Sequence, residues 1–238
     1  MAHEIFMQAN GKAAMCYVGS EKPWHGLGQS LNPNMPIEDW EIAAGMNWEI
    51  NPMPVKYQFG DEEKVFDGKV VLSRSDNGDA LSIVSDSYKI VQPKEVLHFF
   101  SDIVSEAGLR LDTAGVLFGG RRFWAMAKAT ELILPNGDKF NGNVLPSTSC
   151  DGSVATQAAF VSTRVVCNNT LTVAMGKEAT NRVKVSHRMV FDPLKIKQQM
   201  GLIDSAWESF KDNILTLQKI KLTDNDAVRF VQRVLATD

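Results

Sequence analysis

Two groups of basic residues give the sequence its clearest chemical character. The first group comprises Arg121, Arg122, Lys128 and Lys139, with Phe123 and Trp124 between its members. The second lies in "NRVKVSHR" and comprises Arg182, Lys184 and Arg188. Cations that alternate along a strand share one face, where they can follow a phosphate backbone while an aromatic ring such as Trp124 stacks on bases. The pattern predicts a surface for single-stranded DNA, although a solvated strand face balanced by acidic residues elsewhere accounts for it equally well.

The charge of the chain is small in total but unevenly distributed. The net charge is −3 and the isoelectric point is near 5.8, which argues against a simple polycation that coats nucleic acid or a membrane. Residues 1–110 carry 16 acidic and 9 basic side chains, residues 111–200 carry 6 and 11, and the remainder carries 6 and 5. Such segregation is expected when one face meets a polyanion, and also when two parts of the chain or two subunits attract each other.

The stretch "TRVVCNNTL", residues 163–171, places polar groups in an apolar segment. With Ser162 as N-cap, it predicts a helix from Thr163 in which Arg164 and Asn168 share one side at i, i+4. These two side chains could donate to a phosphate or a base, or could cap loop carbonyls and fix the corner between sheet and helix. Cys167, similarly, could be an activated thiolate or a small packing residue.

Patterns for catalysis and metal binding are weak. The sequence has no phosphate-binding loop, no dinucleotide fingerprint, no H-E-x-x-H and no G-x-S-x-G. The histidines lie far apart in sequence, and the three cysteines form no C-x-x-C pair. We therefore expect a protein without catalysis, cofactor or metal, in a reducing cytoplasm. No apolar run approaches the length needed to cross a membrane.

Helix and turn signals predict the elements that position these residues. "IEDWEIAAGM" predicts a short helix, and the runs between residues 48 and 91 predict strands with a hairpin at "DNGD". Pro93 and Gly108 bracket the next helix, and hairpins follow at "FGGRR" and "PNGD" before a strand that ends near Val161. A long helix with Asp192 as N-cap and a last helix with Thr223 or Asp224 as its cap complete the pattern.

This order of elements predicts an α+β fold, because the connections between strands are too short for crossovers. We expect a largely antiparallel sheet with hairpins packed against helices, followed by a C-terminal helical segment. We divide the chain into an N-terminal arm (1–36), an α+β core domain (37–190) and the C-terminal helical segment (191–238). Trp24 and His25 in the arm are read either as an aromatic anchor to the core or as ligand contacts.

Several motifs resemble those of one protein family. They are "WHGLG" from Trp24, "YKIVQ" from Tyr88, "AGVLFGGRRFWAMAKA" from Ala114, "SCDGSVA" from Ser149 and "TRVVCNNTL". Together, over roughly residues 20–176, they are similar to the phage/plasmid-like proteins of domain-of-unknown-function family 932. Where that family usually has "TPVRVVCNNTL", this chain has Ser162 and Thr163 before the arginine.

The resemblance implies a bacteriophage, prophage or plasmid origin and no established catalytic mechanism. The arrangement of strands and helices also looks similar to that of phage single-strand annealing proteins, which is an analogy of fold alone. One hypothesis is therefore a homo-oligomer that binds single-stranded DNA for recombination or annealing in the cytoplasm of a bacterial host. The other is an accessory or counter-defence protein that binds a host protein without catalysis.

Overall fold

The computed structural model describes residues 3–106, 108–176, 182–185 and 207–235, and its architecture is α+β, as predicted. One sheet contains β1 (Met15–Val18), β2 (Gln29–Leu31), β6 (Arg110–Leu117), β7 (Arg122–Ile133), β8 (Lys139–Ser149), β9 (Thr156–Val161) and β10 (Arg182–Val185). The strand order is β10-β9-β8-β7-β6-β1-β2. Neighbours are antiparallel except for the parallel pair β1 and β2. A second, antiparallel sheet contains β3 (Ile50–Phe59), β4 (Glu62–Arg74) and β5 (Ala80–Ser85) in that order.

The described residues include five α-helices, most of which begin where the sequence indicates. They are α1 (Ile37–Ala43), α2 (Pro93–Glu106), α3 (Asn168–Ala174), α4 (residues 207–219) and α5 (Asp224–Leu235). Pro93 opens α2, and Gly108 follows its end with a φ of 71°, a left-handed conformation that glycine adopts without strain. At the start of α5, the hydroxyl of Thr223 accepts a hydrogen bond from the Asp226 N–H at 3.3 Å. The expected helix starts at Pro93 and Asp224 are thus confirmed, while the N-cap expected at Asp192 lies outside the described residues.

The large sheet is covered on both faces, which gives the molecule two hydrophobic cores. On one face, which we call the α2 face, buried side chains of α1 and α2 pack against β6 and β7. This core includes Trp40 and Phe100 from the helices and Val116, Phe123 and Ala125 from the strands. On the opposite α3 face, the segment around α3 covers strands β1, β7 and β8; its core includes Met15, Met126, Leu145, Val165, Cys167 and Leu171. The period-two alternation of β7 sends successive side chains to different cores.

The predicted hairpins are present. Residues 75–79 join β4 to β5, Phe118–Gly120 form a single 3₁₀ turn between β6 and β7, and a turn around Gly137 joins β7 to β8. The predicted C-terminal helical segment is also observed, and Trp207 and Phe210 at the start of the described part of α4 contact Phe160 and Phe140, respectively. These short connections keep β6 to β9 in register as one continuous meander.

A buried arginine joins the two sheets. Arg74, at the end of β4, has a side chain that is 1% exposed, and it donates to both carboxylate oxygens of Asp76 at 2.9 and 2.7 Å. It also donates to the carbonyl of Gly119 at 3.0 Å. Its guanidinium lies over the rings of Trp48, at 3.9 Å from the centroid, and Phe6, at 4.3 Å. Arg74 therefore connects the small sheet, the N-terminal arm and the β6–β7 turn through one planar group.

The β3–β4 hairpin extends beyond the cores. Its outer half is exposed on both faces, and Tyr57, Phe59 and Phe66 are among its exposed side chains. Lys64 lies 4.9 Å from the centroid of the Phe59 ring. Exposed aromatic side chains in this number are unusual for a surface that meets only water.

Candidate functional site

The helix in "TRVVCNNTL" starts five residues later than the sequence suggested. Cys167 is the N-cap and has an extended backbone, with φ −164°, so α3 begins at Asn168 and not at Thr163. The hydroxyl of Thr170 accepts the N–H groups of Val166 and Cys167 at 2.9 and 3.1 Å, which holds the chain extended up to this point. Arg164 and Asn168 consequently do not share one side of a helix, and that prediction was wrong.

Arg164 fixes a corner of the fold. Its Nε donates to Asp112 at 3.1 Å, and its Nη1 donates to the Glu21 carbonyl at 3.2 Å and lies 3.7 Å from the Glu21 carboxylate. Nearby, Thr113 donates its hydroxyl to the Val165 carbonyl at 2.8 Å. Because its charge is already matched by two acids, Arg164 is a poor phosphate ligand, and the alternative reading as a corner residue accounts for it.

The N-terminal arm holds the other side of this corner. The backbone N–H of Asn168 donates to the His3 carbonyl at 2.9 Å, and His25 Nε2 lies 3.1 Å from the carbonyl of Val166. Leu27 N–H donates to Nδ1 of His25 at 3.1 Å, so in the neutral ring Nε2 is the donor to Val166. Burial lowers the pKa of His25, the Val166 carbonyl partly offsets this, and nearby His3 lowers the pKa further. A neutral His25 thus ties the arm to the start of α3.

Trp124 does not lie on the surface, and its proposed role as a stacking residue was wrong. It is fully buried on the α3 face, and a Cβ at Gly115 on β6 would lie 2.1 Å from its ring. Its position follows from the alternation along β7, which sends Trp124 and Met126 to the same core. Its indole N–H is buried without a hydrogen-bond partner among the described residues. A base could reach this ring only if the core opened.

A small polar cleft lies beside Trp124, between α3 and the sheet. Its volume is about 80 Å³, and its polar lining comprises Arg122, Ser147, Thr148, Gln157, Asn168 and Thr172. Ser147 is 3% exposed, and its hydroxyl has no hydrogen-bond partner in the described part of the chain. Thr148, by contrast, shares a 2.7 Å hydrogen bond with Thr156. We call this the α3 cleft; its lining is cationic or neutral and includes no carboxylate from the described ranges.

Register places a row of residues across four strands at this cleft. Trp124 pairs with Ser147, Ser147 with Gln157, and Gln157 with Lys184. Directly opposed residues of antiparallel strands project to the same face, and adjacent strands are about 4.8 Å apart, so the Cα of Lys184 lies about 10 Å from that of Ser147. Lys184 is exposed, and no described residue forms an ion pair with it. The row therefore runs from the core at Trp124 to Lys184 on β10, the outermost strand on that side of the sheet among the described residues.

Arg122 is a cation on the lining of the cleft itself. Its Nε donates to the hydroxyl of Ser153 at 3.3 Å, and its guanidinium lies 4.8 Å from the centroid of the Phe118 ring. Asp151 is a nearby acid. Burial raises the pKa of its carboxyl, but hydrogen bonds from Ser153 and Ser149 and the charge of Arg122 outweigh this and lower it overall. The acid is thus ionised at neutral pH and offsets part of the positive charge at this rim.

The remaining predicted basic residues are dispersed. Arg121 is exposed beside Arg122, and the Cα of Arg182 lies opposite Ala159 on β9. Lys128 forms an ion pair with Glu131, and exposed Lys139 lies eight positions before Ser147 on β8, about 26 Å away along the strand. Arg188 lies outside the described residues. Of the ten residues predicted for nucleic-acid binding, Arg122 and Asn168 line the cleft, Lys184 lies two strands from Ser147 on the same face, and Arg121 is adjacent to Arg122.

Trp24 is exposed, so of its two interpretations the aromatic anchor is wrong. It is 67% exposed, so it does not anchor the arm, and its ring packs edge-on against His25 with the centroids 5.2 Å apart. Since His25 contacts Val166, Trp24 lies next to the start of α3. Ser147, Gln157 and Thr172 were also missed, because small polar residues in apolar strands give no local signal.

Comparison with known proteins identifies a family but no characterised relative. A family model described as "Domain of unknown function (DUF932)" matches residues 80–238. The match thus extends further toward the C-terminus than the motifs noted above, and it begins at β5. No curated protein and no solved structure gave a significant match. Among the described residues, none of the helices has the length and apolar character of a membrane span.

Proposed function

The chain belongs to the DUF932 family, and we propose that it binds single-stranded DNA across the α3 face. In this proposal Arg121, Arg122 and Lys184 contact phosphates, and Trp24 stacks on a base. Asn168 and the hydroxyls of the α3 cleft donate to phosphate oxygens. The protein acts as a homo-oligomer in the cytoplasm of a bacterial host, is encoded by a phage or plasmid, and promotes annealing or recombination.

The observation that carries the proposal is the row of paired residues that ends at Lys184. It sets a cation without an acidic partner in the described residues beside a cleft lined by neutral donors and Arg122. Phosphate oxygens are acceptors and carry negative charge, so neutral donors combined with cations favour them. The exposed indole of Trp24 can stack on any base, because every base has a flat π-face.

Fluorescence anisotropy with a labelled single-stranded oligonucleotide tests the proposal. Neutralising three phosphates predicts a slope of about −2 for log K against log salt, since each contact on a single strand contributes about −0.7. We expect Arg122→Glu/Lys184→Glu to weaken binding strongly and to reduce the slope to about −0.7. Lys69→Glu is the matched control, because Lys69 is exposed on β4 of the other sheet.

A second variant separates stacking from charge. Trp24→Ala is expected to weaken binding by about 1–3 kcal/mol, the range for one stacked base, while leaving the salt slope unchanged. Absence of binding at low salt, or equal losses in Arg122→Glu/Lys184→Glu and Lys69→Glu, would reject the α3 face as a DNA surface. If the protein binds single-stranded DNA, annealing of complementary strands can be tested next, with fluorescence quenching as the readout.

A protein partner is the alternative function, and the β3–β4 hairpin favours it. The hairpin exposes Tyr57, Phe59 and Phe66, the kind of aromatic surface enriched at protein interfaces. A stoichiometric host protein that co-purifies with the wild type but not with Phe59→Ser/Phe66→Ser, in preparations free of nucleic acid, would support this alternative.

A further inference from the structure

A second concave site lies on the α2 face, away from the α3 cleft. Helix α1, the beginning of α2 and the segment before β3 enclose a pocket of about 530 Å³. This volume is within the range of about 300–1,000 Å³ that small-molecule sites occupy. The residues that carry the argument are Glu41, Trp48, Glu49, Lys94, Glu95 and His98.

The carboxylate of Glu41 is the central group of this pocket. The residue is only 7% exposed, and glutamate is rarely buried to this extent unless it is paired. His98 Nε2 is 2.7 Å from its Oε1, and Lys94 Nζ is 3.9 Å from the same oxygen. No described residue bonds the second oxygen, Oε2. This oxygen is accessible from the pocket, where water or the donor group of a ligand can reach it.

The other groups of the pocket do not supply that donor. Gln92 uses its side chain on the backbone of Ile50, at 2.7 and 3.1 Å, and one oxygen of Glu95 accepts the Gln92 N–H at 2.9 Å. Lys94 has a side chain that is 62% exposed and lies at the limit of ion-pair distance from Glu41. With Glu49 and Glu95 also on the lining, carboxylates outnumber the one permanent cation.

Apolar surface completes the site. Met46 and Trp48 are buried on the α2 face and form part of the pocket wall. In the described part of the chain, no group of three His, Cys, Asp or Glu side chains is arranged to hold a metal ion. The chemistry left for a ligand is therefore an ammonium group that donates to carboxylates, attached to an apolar body.

We infer that this pocket binds a small organic amine, with its ammonium group at Glu41 Oε2 and its apolar part along the accessible edge of Trp48. Glu49 at the rim adds electrostatic attraction for the cation. The inference does not depend on DNA binding, because the two sites lie on opposite faces of the large sheet.

Isothermal titration calorimetry with tyramine, a primary alkylamine that carries a phenol ring, tests the site on the full chain. Saturable binding is expected below about 10 mM, and 3-(4-hydroxyphenyl)propionate, which carries a carboxylate in place of the ammonium, is expected not to bind. Glu41→Gln removes the charge that faces the ammonium and should raise Kd at least about tenfold. Glu49→Gln, at an exposed position that tolerates change, should raise Kd several-fold.

Glu38→Gln is the matched control, because Glu38 is exposed on the same helix but is not part of the pocket lining. It should bind tyramine as the wild type does. Absence of tyramine binding would overturn the inference, as would equal binding of the carboxylate probe. So would unchanged affinity in Glu49→Gln together with unchanged affinity in Glu41→Gln. Because Glu49→Gln leaves the buried Glu41–His98 pair intact, a folding defect in Glu41→Gln would not remove the test.

Discussion

Replacement of Arg74 by methionine should be among the most destabilising single changes in this protein. Methionine keeps an apolar stem of similar length in the same space but removes the guanidinium group. The change deletes two hydrogen bonds to Asp76, one to the Gly119 carbonyl, and the contacts with the Phe6 and Trp48 rings. It tests whether this one side chain joins the two sheets or merely fills space between them.

The expected loss is about 3 kcal/mol. Hydrogen bonds to charged groups contribute about 1.5–3 kcal/mol, and a desolvated cation over an aromatic ring contributes about 2 kcal/mol. Breaking a buried ion pair usually costs about 3–5 kcal/mol because a charge is left buried. Here the side chain of Asp76 is 45% exposed and can be hydrated, so we expect a loss of stability at the lower end of that range. Arg74→Lys keeps the charge but loses the planar fork, and about half of the loss is expected.

Urea unfolding followed by tryptophan fluorescence measures these changes, since Trp48 stacks on the guanidinium. A loss of about 3 kcal/mol corresponds to a decrease in Tm of about 6–12 °C for a chain of this size. Lys69→Met on the same strand is the control, because Lys69 is exposed and its replacement should change stability by less than about 0.5 kcal/mol. A loss below about 1 kcal/mol in Arg74→Met, or full stability in Arg74→Lys, would refute the argument.

The same variant predicts a change in acid sensitivity. Hydrogen bonding by Arg74 is the main cause that lowers the pKa of Asp76 in the folded protein. A carboxyl with a lowered folded pKa contributes stability above its unfolded pKa, near 3.9, and loses that contribution as the pH falls through its folded value. Arg74→Met should therefore show a smaller decrease in stability than the wild type when the pH is lowered through about 4.

Three further measurements address the cores and the corner at α3. Gly115→Ala places a Cβ 2.1 Å from the Trp124 ring, so we expect a loss of about 3 kcal/mol or more in urea unfolding, and a loss below about 1 kcal/mol would contradict the packing. All three cysteines are buried, and burial raises the pKa of Cys150 to about 12; a thiol reagent at pH 8 should label none of them in native protein and all three in urea. Because burial lowers the pKa of His25, the unfolded state takes up its proton first, and stability should fall as the pH drops below about 6.5. His25→Gln should show a weaker decrease over the same range, and an identical pH profile would show that burial of the His25 ring is not responsible.

Local signals predicted the elements of this fold well, and contacts distant in sequence account for the errors. Pro93, Gly108 and the Asn-Gly turns act within a few residues, so α2 and the hairpins follow from the sequence alone. The start of α3 does not, because the Asn168 N–H finds its partner at His3, at the far end of the chain. Ser162 resembles an N-cap by residue type, but Thr170 holds the backbone extended beyond it.

The candidate sites were harder to predict for the same reason. Alternation along β7 correctly separates two faces but does not say that both are buried, and Trp124 was therefore assigned to solvent. Arg74 was overlooked because only Asp76 among the partners described above lies near it in sequence, whereas Gly119 is 45 positions away. The pairing of Glu41 with His98 spans 57 positions and joins two helices that no local pattern connects.

The prolines of β3 determine how the projecting hairpin can associate. In the described structure β3 lies at the edge of its sheet, and Pro52 and Pro54 occupy positions opposite Leu72 and Val70. Proline has no N–H, so the inner half of this edge cannot continue the ladder into another chain, and cross-β aggregation along it is blocked. The outer half, which carries Tyr57 and Phe59, has no proline. Association through the hairpin is thereby confined to its outer half, where both side chains and backbone groups are available.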